Sequence, residues 1–386
     1  MISDISVYLD YNATAPARPE VIEAVTDTME LGPTNPSSVH ARGREARRRV
    51  EKARNEIAAL VSARADQVVF TMGGTEANNL VLAGCDSSRF LVSAVEHAAV
   101  LRAAMTDEQD AEIIPVSNDG VVDLYALERM LEANTAVTLV SVMTANNETG
   151  ILQPIAEVVD IAKRYGAKVH TDAVQAAGKI TLDFPSWDVD FMTLSAHKIG
   201  GPQGVGAVVC RERDMLRPII IGGGQEQGSR AGTENVAGIV GFGVASRLAM
   251  AEAQQTNGYM AALRDRMEET LRQEVPRVNI FGAGVARLPN TSSLTMPGVR
   301  NDKQVMEFDL AGVAVSAGSA CSAGKIEFSH VLEAMGVDIE EAATTIRVSL
   351  GAETTQSDLD QFLTVWLELW GRESRWCDRD NTRYVA

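Results

Sequence analysis

Cysteine is scarce in this chain. Only four cysteines occur in 386 residues, and none of them forms a Cys-x-x-Cys pair. So few thiols exclude a disulfide scaffold, and no histidine cluster has the spacing of zinc ligands, so no metal site is expected. Cys85 and Cys210 lie in or near apolar stretches and are interpreted as structural, whereas Cys377 lies in a polar tail and is interpreted as an incidental surface thiol.

Long apolar runs and excess positive charge are also absent. No run reaches the roughly 18 residues that cross a bilayer, and the start MISDISVYLD carries no basic leader. The net charge is −17. Because nucleic acids and anionic membranes are bound by clustered Lys and Arg, neither is an expected partner, and the basic run 41–54 is interpreted as a helix face. A cytoplasmic protein is the expectation.

What the chain does contain is an alternation of short β-rich runs with helical patterns, from about residue 45 to 250. This alternation predicts an α/β layer with a mostly parallel sheet, whose strands are apolar throughout because both faces are covered. The clearest strand candidates are VVFTM (68–72), FLVSAV (90–95), AVTLVSVM (136–143), KVHTDAV (168–174), DFMTLS (190–195) and GAVVC (206–210).

The pattern changes after about residue 250. A long helix at about 251–275 is expected to lead into PNTSSLTM, a further helix, VAVSAG and TTIRVSLG, which together predict a smaller α+β domain. We therefore expect a large domain over 13–255 and a small domain formed by 1–12 and 256–386.

A lysine marks one strand end. In TLSAHKIGGPQGVGAVV, Lys198 stands between an apolar strand and a glycine-rich turn. Burial there lowers the pKa of an amine. Lys198 could form an ion pair, or it could form a Schiff base with an aldehyde cofactor.

Two further strand ends carry polar groups. Asp172 and Gln175 follow a strand in HTDAVQAAGK, and Gly74 and Thr75 open a helix in TMGGTEANNL. Taken singly, the aspartate is an ordinary helix cap and the glycines an ordinary turn. Together with Lys198 they supply a carboxylate, an anion-binding helix terminus and an amine, the three anchors that pyridoxal phosphate requires.

Four other residues could take part in chemistry. His97 in SAVEHAAV could stack on a flat ring and move protons, or be a core histidine. Asn147 in TANNETG could bond a ring hydroxyl, or be a turn residue. Arg347 suits a carboxylate, or an internal salt bridge. Cys321 lies among small residues in SAGSACSAGK, where a thiol differs from the usual buried cysteine.

These segments, in this order, resemble the pyridoxal-phosphate-dependent cysteine desulfurases of the NifS/IscS type. The family adopts fold type I, the aspartate aminotransferase fold, and the resemblance covers nearly the whole chain. The segments that carry it are YLDYNATAP (8–16), NPSSVHARG (35–43), GGTEANN, VEHAAV, NNETG, TDAVQAAGK, SAHKIGGPQGVGA, GGGQEQGSRAGTEN, and GSACSAGK with SHVLEAMG.

The resemblance implies specific roles. Lys198 would hold the cofactor covalently, His97 would stack on its ring, and Cys321, in a loop at about 316–329, would accept sulfur. Asn35 and Arg347 would hold the substrate carboxylate. The implied cofactor-binding residues are Gly74, Thr75, His97, Asn147, Asp172, Gln175, Ser195, His197, Lys198 and, from a second subunit, Thr233.

The implied activity is conversion of L-cysteine to L-alanine, with the sulfur held as a persulfide on Cys321. A homodimer would pass it to an acceptor or scaffold protein, for iron–sulfur clusters or other sulfur-containing cofactors. The tail SRWCDRDNTRYVA differs from the family's scaffold-contacting segment, so the acceptor stays open. A selenocysteine lyase, another lyase or aminotransferase of this fold, and a non-catalytic sulfur carrier or scaffold partner are the alternatives.

Overall fold

The computed structural model describes residues 7–106, 109–317 and 328–381. Its strands are β1 (Val7–Tyr8), β2 (Val68–Thr71), β3 (Arg89–Ser93), β4 (Met105–Thr106), β5 (Gln109–Asp110), β6 (Glu112–Ile114), β7 (Thr138–Ser141), β8 (Lys168–Asp172), β9 (Phe191–Ser195), β10 (Gly206–Cys210), β11 (Thr291–Thr295), β12 (Val313–Ala314), β13 (Ser316–Ala317) and β14 (Thr345–Ser349). Its helices are α1 (Pro19–Glu30), α2 (Ala41–Leu60), α3 (Gly74–Gly84), α4 (Ala98–Ala104), α5 (Leu124–Glu132), α6 (Ile155–Arg164), α7 (Phe184–Trp187), α8 (Val236–Glu274), α9 (Asn301–Leu310), α10 (His330–Ala334), α11 (Ile339–Ala342) and α12 (Gln356–Asn381).

The central sheet has seven strands in the order β2-β10-β9-β8-β7-β3-β6. Strands β9, β8, β7, β3 and β6 pair in parallel, whereas β10 is antiparallel to both of its neighbours. Every residue of β7 and β9 is buried, because helices cover both faces of the sheet. The mostly parallel α/β architecture expected from the sequence is confirmed.

The chain after α8 builds a second, antiparallel sheet of order β11-β14-β13. The start of the chain pairs with the same region in a separate two-stranded parallel sheet, in which Val7 of β1 lies opposite Val313 of β12. Leu9 is buried in the same apolar cluster as Met260 and Trp366. The first described residues therefore pack with the chain that follows α8.

Helix α8 begins earlier than the sequence pattern indicates, at Val236 rather than near residue 251. Asn235 caps it by accepting a hydrogen bond from the backbone N–H of Gly238. Glycines in its first half allow close packing, since a Cβ on Gly243 would lie 2.7 Å from Ala53. The helix runs through residue 255 without a break, so the domain boundary stays a prediction.

Among the described residues, α8 alone is long and apolar enough to pass a test for a membrane span. Half of its most apolar window is buried within the protein, and core helices of soluble proteins pass the same test. Its first half contributes Ile239, Phe242 and Ala245 to the core beside the central sheet.

Candidate active site

One cavity of about 360 Å³ opens at the carboxyl ends of the central strands. Asp172 is the last residue of β8 and Ser195 the last of β9, and these two parallel strands end at the same edge. Side chains named from the sequence converge on this cavity: Gly74, Thr75, His97, Asn147, Asp172, Gln175, Ser195, His197, Lys198 and Arg347.

The turn between β2 and α3 forms one wall. Gly73 has φ +152°, a conformation that side-chain-bearing residues rarely adopt. A Cβ on Gly74 would lie 3.1 Å from Val174, so glycine keeps this side of the cavity open. The first turn of α3 starts at Gly74 and leaves backbone N–H groups without helical partners, which suits an anion such as a phosphate.

Asp172 is held in a fixed orientation. Asp172 is only 5% exposed. One carboxylate oxygen accepts a hydrogen bond of 2.9 Å from the backbone of Val174, and the other accepts one of 2.8 Å from Asn78. A buried carboxylate with both oxygens engaged is pre-organised to face a cation.

Lys198 lies in the turn that follows β9, with its amine turned back toward the start of the chain. Its Nζ donates to the backbone carbonyls of Asn12 at 2.6 Å and Ala13 at 2.8 Å. Both acceptors are neutral carbonyl oxygens. The amine is therefore oriented by the YLDYNATAP segment, at the wall of the cavity.

Two histidines line the cavity in defined states. His97 caps α4, and its Nδ1 accepts a hydrogen bond of 3.1 Å from the backbone of Ala99. In the neutral ring the proton therefore sits on Nε2. The Nδ1 of His197 lies 3.2 Å from the hydroxyl of Thr14. Burial, with a smaller contribution from Lys198, lowers the pKa of His197 to about 4, so this ring is neutral near pH 7.

Arg347 reaches the cavity from β14 in the second sheet. Its side chain is 4% exposed and forms a salt bridge of 2.7 Å with Asp10. The same guanidinium donates to the carbonyl of Asn147 at 3.0 Å. Its Nε has no hydrogen-bond partner within the described part of the chain. Arg347 thus makes an internal salt bridge and also forms part of the cavity lining.

Two residues named from the sequence lie elsewhere, and a third is not described. Asn35 precedes α2, where its side chain accepts a hydrogen bond of 2.9 Å from the backbone of Ser37. Thr233 lines a different cavity, of about 250 Å³, beside Asn235. Cys321 lies outside the described residues. Roles for these three stay predictions.

Two cysteines that the structure describes are buried thiols. Cys85 and Cys210 are 8% and 0% exposed. Burial raises the pKa of Cys85, and it raises that of Cys210 to about 11. Neither thiol carries the thiolate needed for reaction near neutral pH, which agrees with their structural interpretation.

Sequence reasoning missed two asparagines that shape the site. Asn12 lies in YLDYNATAP and Asn78 in GGTEANN, and both line the cavity. Both are 1% exposed. Their only signal in the sequence is their position inside segments that were singled out for other residues, since buried asparagines are uncommon and need partners.

The residues present fit pyridoxal phosphate. A buried carboxylate, an amine and a glycine-opened helix terminus surround one cavity, as a pyridinium nitrogen, an aldehyde and a phosphate require. The Oδ1 of Asn78, beside Asp172, has no partner among the described residues. Within that same part of the chain, no group of three His, Cys, Asp or Glu side chains is arranged to hold a metal ion.

Known proteins are similar to this chain in sequence and fold. The model of the family described as aminotransferase class-V matches residues 7–362. The chain is 42% identical over 368 residues to a protein named cysteine desulfurase IscS from Dictyoglomus turgidum, covering 93% of each chain. A solved NifS-like protein from Rickettsia africae superposes with a TM-score of 0.88 at 38% identity, covering 95% of this chain and 99% of that one.

A second solved structure, described as SspA in complex with cysteine, matches with a TM-score of 0.77 at 31% identity. It covers 91% of this chain and 100% of the other. The matches span nearly the whole chain and agree with the architecture of the sheet and with the resemblance found in the sequence. The chain belongs to the class-V aminotransferase family, among its relatives of the NifS/IscS cysteine desulfurase type.

Proposed function

We propose that this protein is a pyridoxal-phosphate-dependent cysteine desulfurase, which converts L-cysteine to L-alanine and retains the sulfur on Cys321. The observation that carries the proposal is the meeting of Asp172, Lys198 and the amino-terminal turn of α3 around one cavity. Relatives named cysteine desulfurase, at 42% identity over nearly the full chain, support the choice of reaction.

The cofactor would be held by groups at five strand ends. Lys198 would hold its aldehyde carbon, Asp172 its ring nitrogen, and Gly74 with Thr75 its phosphate. His97 would lie against the ring, and the remaining contacts would come from Asn147, Gln175, Ser195 and His197. When bound, pyridoxal phosphate supplies an electron sink that makes loss of the substrate's Cα proton feasible.

The substrate would be oriented by its carboxylate. Arg347 lines the cavity, and a salt bridge with Asp10 fixes its position. Asn35 would add a second contact, although it lies away from the cavity lining in this structure. The amine of Lys198 would take the Cα proton, and the Nε2 proton of neutral His97 would be available beside the substrate thiol.

Sulfur transfer would use Cys321. Its thiolate attacks the sulfur of L-cysteine, so that an S–S bond forms as the carbon–sulfur bond of the substrate breaks. The electron pair of that bond stays with the three-carbon fragment, which takes up one proton at Cβ, regains at Cα the proton that Lys198 removed, and leaves as L-alanine. The enzyme is left with a persulfide, whose outer sulfur an acceptor protein of iron–sulfur cluster or related cofactor assembly would take.

A homodimer is part of this proposal, because Thr233 lies outside the cavity of its own chain. Apolar side chains are exposed in the segment leading to it: Ile221 is 86% exposed and Met72, on the adjoining turn, is 63% exposed. A second copy of the chain would cover them and bring Thr233 to the partner's phosphate site. Changing Ile221→Asp is expected to weaken self-association, measured by sedimentation velocity. An unchanged sedimentation profile would contradict this placement of the interface.

The central experiment measures alanine and sulfide from L-cysteine with the cofactor-loaded protein. Wild type is expected to form both, in the presence of a thiol reductant. Cys321→Ser is expected to lose both products while still changing the cofactor's absorbance on cysteine binding. Cys377→Ser is the matched cysteine control and is expected to behave as wild type. Sulfide release by Cys321→Ser at the wild-type rate would refute the role of Cys321 and favour a selenocysteine-lyase-like reaction.

A further inference from the structure

A second buried lysine lies close to the candidate active site. Lys179, in the TDAVQAAGK segment, is 9% exposed. Its Nζ donates to the backbone carbonyl of Gln175 at 2.9 Å and to the side-chain Oε1 of Gln175 at 3.3 Å. Lys179 and Lys198 also line one cavity of about 290 Å³, next to the cavity at the strand ends. The mechanism proposed above gives Lys179 no part.

Hydrogen bonds connect the two lysines. The Nε2 of Gln175 donates to the carbonyl of Asn12 at 3.0 Å, and the Nζ of Lys198 donates to the same carbonyl at 2.6 Å. Lys179 therefore reaches Lys198 through one amide side chain and one backbone oxygen. Each of these groups belongs to a segment that lines the candidate active site.

Lys179 decides which way the amide of Gln175 points. An ammonium group donates hydrogen bonds and accepts none, so it holds Oε1 on its own side. The NH₂ group is then directed to Asn12 and, with its second hydrogen, is available as a donor on the cavity side, where Gln175 forms part of the lining. Without Lys179 the amide could rotate and present an oxygen in place of a donor.

The charge environment couples the two lysines. Burial, with smaller contributions from the positive charges of Lys198 and Arg347, lowers the pKa of Lys179 to about 7. Such repulsion is mutual, so a charged Lys179 also disfavours the protonated form of Lys198. The ionisable side chains that line the shared cavity are Tyr11, Arg18, Glu20, Lys198, Glu252 and Glu353, of which Arg18 and Glu252 pair with each other.

We propose that Lys179 is a positioning residue, which fixes the amide of Gln175 as a hydrogen-bond donor toward the cofactor's ring hydroxyl and adds positive charge beside Lys198. This inference rests on the proposed function. Both effects favour the unprotonated form of the nitrogen that joins Lys198 to the cofactor. The hydrogen-bond donor stabilises the negative charge of the ring oxygen, and the positive charge of Lys179 opposes a second positive charge on that nitrogen.

The test is a pH titration of the bound cofactor's absorbance band, without substrate. Lys179→Met keeps the aliphatic volume and removes the donor and the charge. Its titration midpoint is expected to move to higher pH by about one unit, a tenfold change in proton affinity, as for the loss of a neighbouring charge. Lys168→Met is the matched control, because Lys168 also donates to a backbone carbonyl, that of Asp86 at 2.9 Å, but lies at the opposite end of β8 from Asp172. Its midpoint is expected to equal that of wild type.

A double-variant cycle separates a specific role from a general one. If Lys179 acts through Gln175, the shift of Lys179→Met with Gln175→Ala is expected to be smaller than the sum of the two single shifts. Should Lys179→Met not fold, Lys179→Gln, which keeps an N–H donor without the charge, is expected to shift the midpoint by a smaller amount in the same direction.

The outcomes distinguish this inference from the function on which it rests. A wild-type protein with no titrating cofactor band would contradict the proposed function itself. A normal wild-type band, with midpoints unchanged in Lys179→Met or Lys179→Gln, would overturn the role of Lys179 alone. Equal shifts in Lys179→Met and Lys168→Met would also overturn it.

Discussion

The side chain of Asn78 donates a hydrogen bond of 2.8 Å to the carboxylate of Asp172 in the interior of the protein. Asn78 lies on α3, just after the glycine turn, whereas Asp172 ends β8. The contact therefore connects the proposed phosphate site with the proposed partner of the ring nitrogen. A displacement of α3 would therefore move the carboxylate of Asp172.

This contact predicts a defect in cofactor affinity. Asn78→Ala removes a hydrogen bond to a charged group, worth about 1.5–3 kcal/mol, so pyridoxal phosphate is expected to bind roughly 10 to 100 times more weakly. Asn79→Ala is the control, because within the described part of the chain the neighbouring Asn79 bonds its own helix, at the carbonyl of Thr75. Cofactor fluorescence during dialysis measures both dissociation constants, and equal losses in the two variants would contradict the prediction.

Arg347 predicts a substrate-binding defect. Arg347→Lys keeps the charge but loses the planar set of donors that reaches both Asp10 and Asn147. The KM for L-cysteine is expected to rise at least about tenfold, with a smaller change in kcat, since uniform binding is lost. Arg300→Lys is the comparison, because Arg300 has a 62% exposed side chain and pairs with Asp302 at the surface. An unaltered KM in Arg347→Lys would argue against carboxylate recognition.

A buried ion pair predicts a stability defect. Arg54 and Glu226 have side chains 7% and 2% exposed and lie 2.7 Å apart. The same carboxylate accepts from the backbone of Phe70. Glu226→Ala leaves Arg54 buried without this partner, so the free energy of unfolding is expected to fall by about 3–5 kcal/mol.

The control is an exposed carboxylate that pairs with the same arginine, Arg54. Glu51, with a 53% exposed side chain, also pairs with Arg54, and Glu51→Ala is expected to cost under about 1 kcal/mol. Urea unfolding followed by circular dichroism measures both. If the two variants lose similar stability, the buried pair is not the stronger anchor.

His170 predicts acid sensitivity. Its ring is fully buried between the hydroxyls of Ser141 and Thr193, and burial lowers its pKa to about 4. The unfolded chain, with an ordinary histidine pKa near 6.5, binds the proton more readily, so this contribution is complete above about pH 6.5 and is lost as the pH falls toward 4. The loss at pH 4 approaches about 3 kcal/mol.

The measurement compares unfolding free energies from pH 7 down to pH 4. His170→Asn is expected to show a shallower decline than wild type, whatever its stability at pH 7. If the free energy of unfolding of His170→Asn declines with falling pH as steeply as that of wild type, His170 is not a cause of the acid sensitivity.

Much of the fold was accessible from local pattern. The buried strands are apolar and bounded by turns, so their positions match expectation, with GAVVC coinciding with β10. The first half of α8 could not be predicted from local pattern, because Gly238, Gly241 and Gly243 disfavour a helix by intrinsic propensity. Tertiary packing overrides that preference: a Cβ on Gly241 would lie 2.5 Å from Pro202, so the glycines are what let the helix approach.

The residues of the candidate site also divide into those that the sequence predicts and those that it does not. Lys198, Asp172 and the glycine turn follow apolar strands, and the parallel topology places strand ends together, so their meeting was predictable. Asn12, Asn78 and Lys179 were not, because each acts through a partner distant in sequence or within its own turn. Hydrogen-bond networks of this kind have no periodicity from which to read them.

The uninterrupted course of α8 has a consequence for how the protein melts. Ile239 and Phe242 pack beside the central sheet, while Leu263 and Leu271 of the same helix pack with the second sheet. Because this one helix is part of both apolar cores, unfolding of either core removes packing that holds the helix in the other. Calorimetry should therefore record one cooperative endotherm in place of two separate ones.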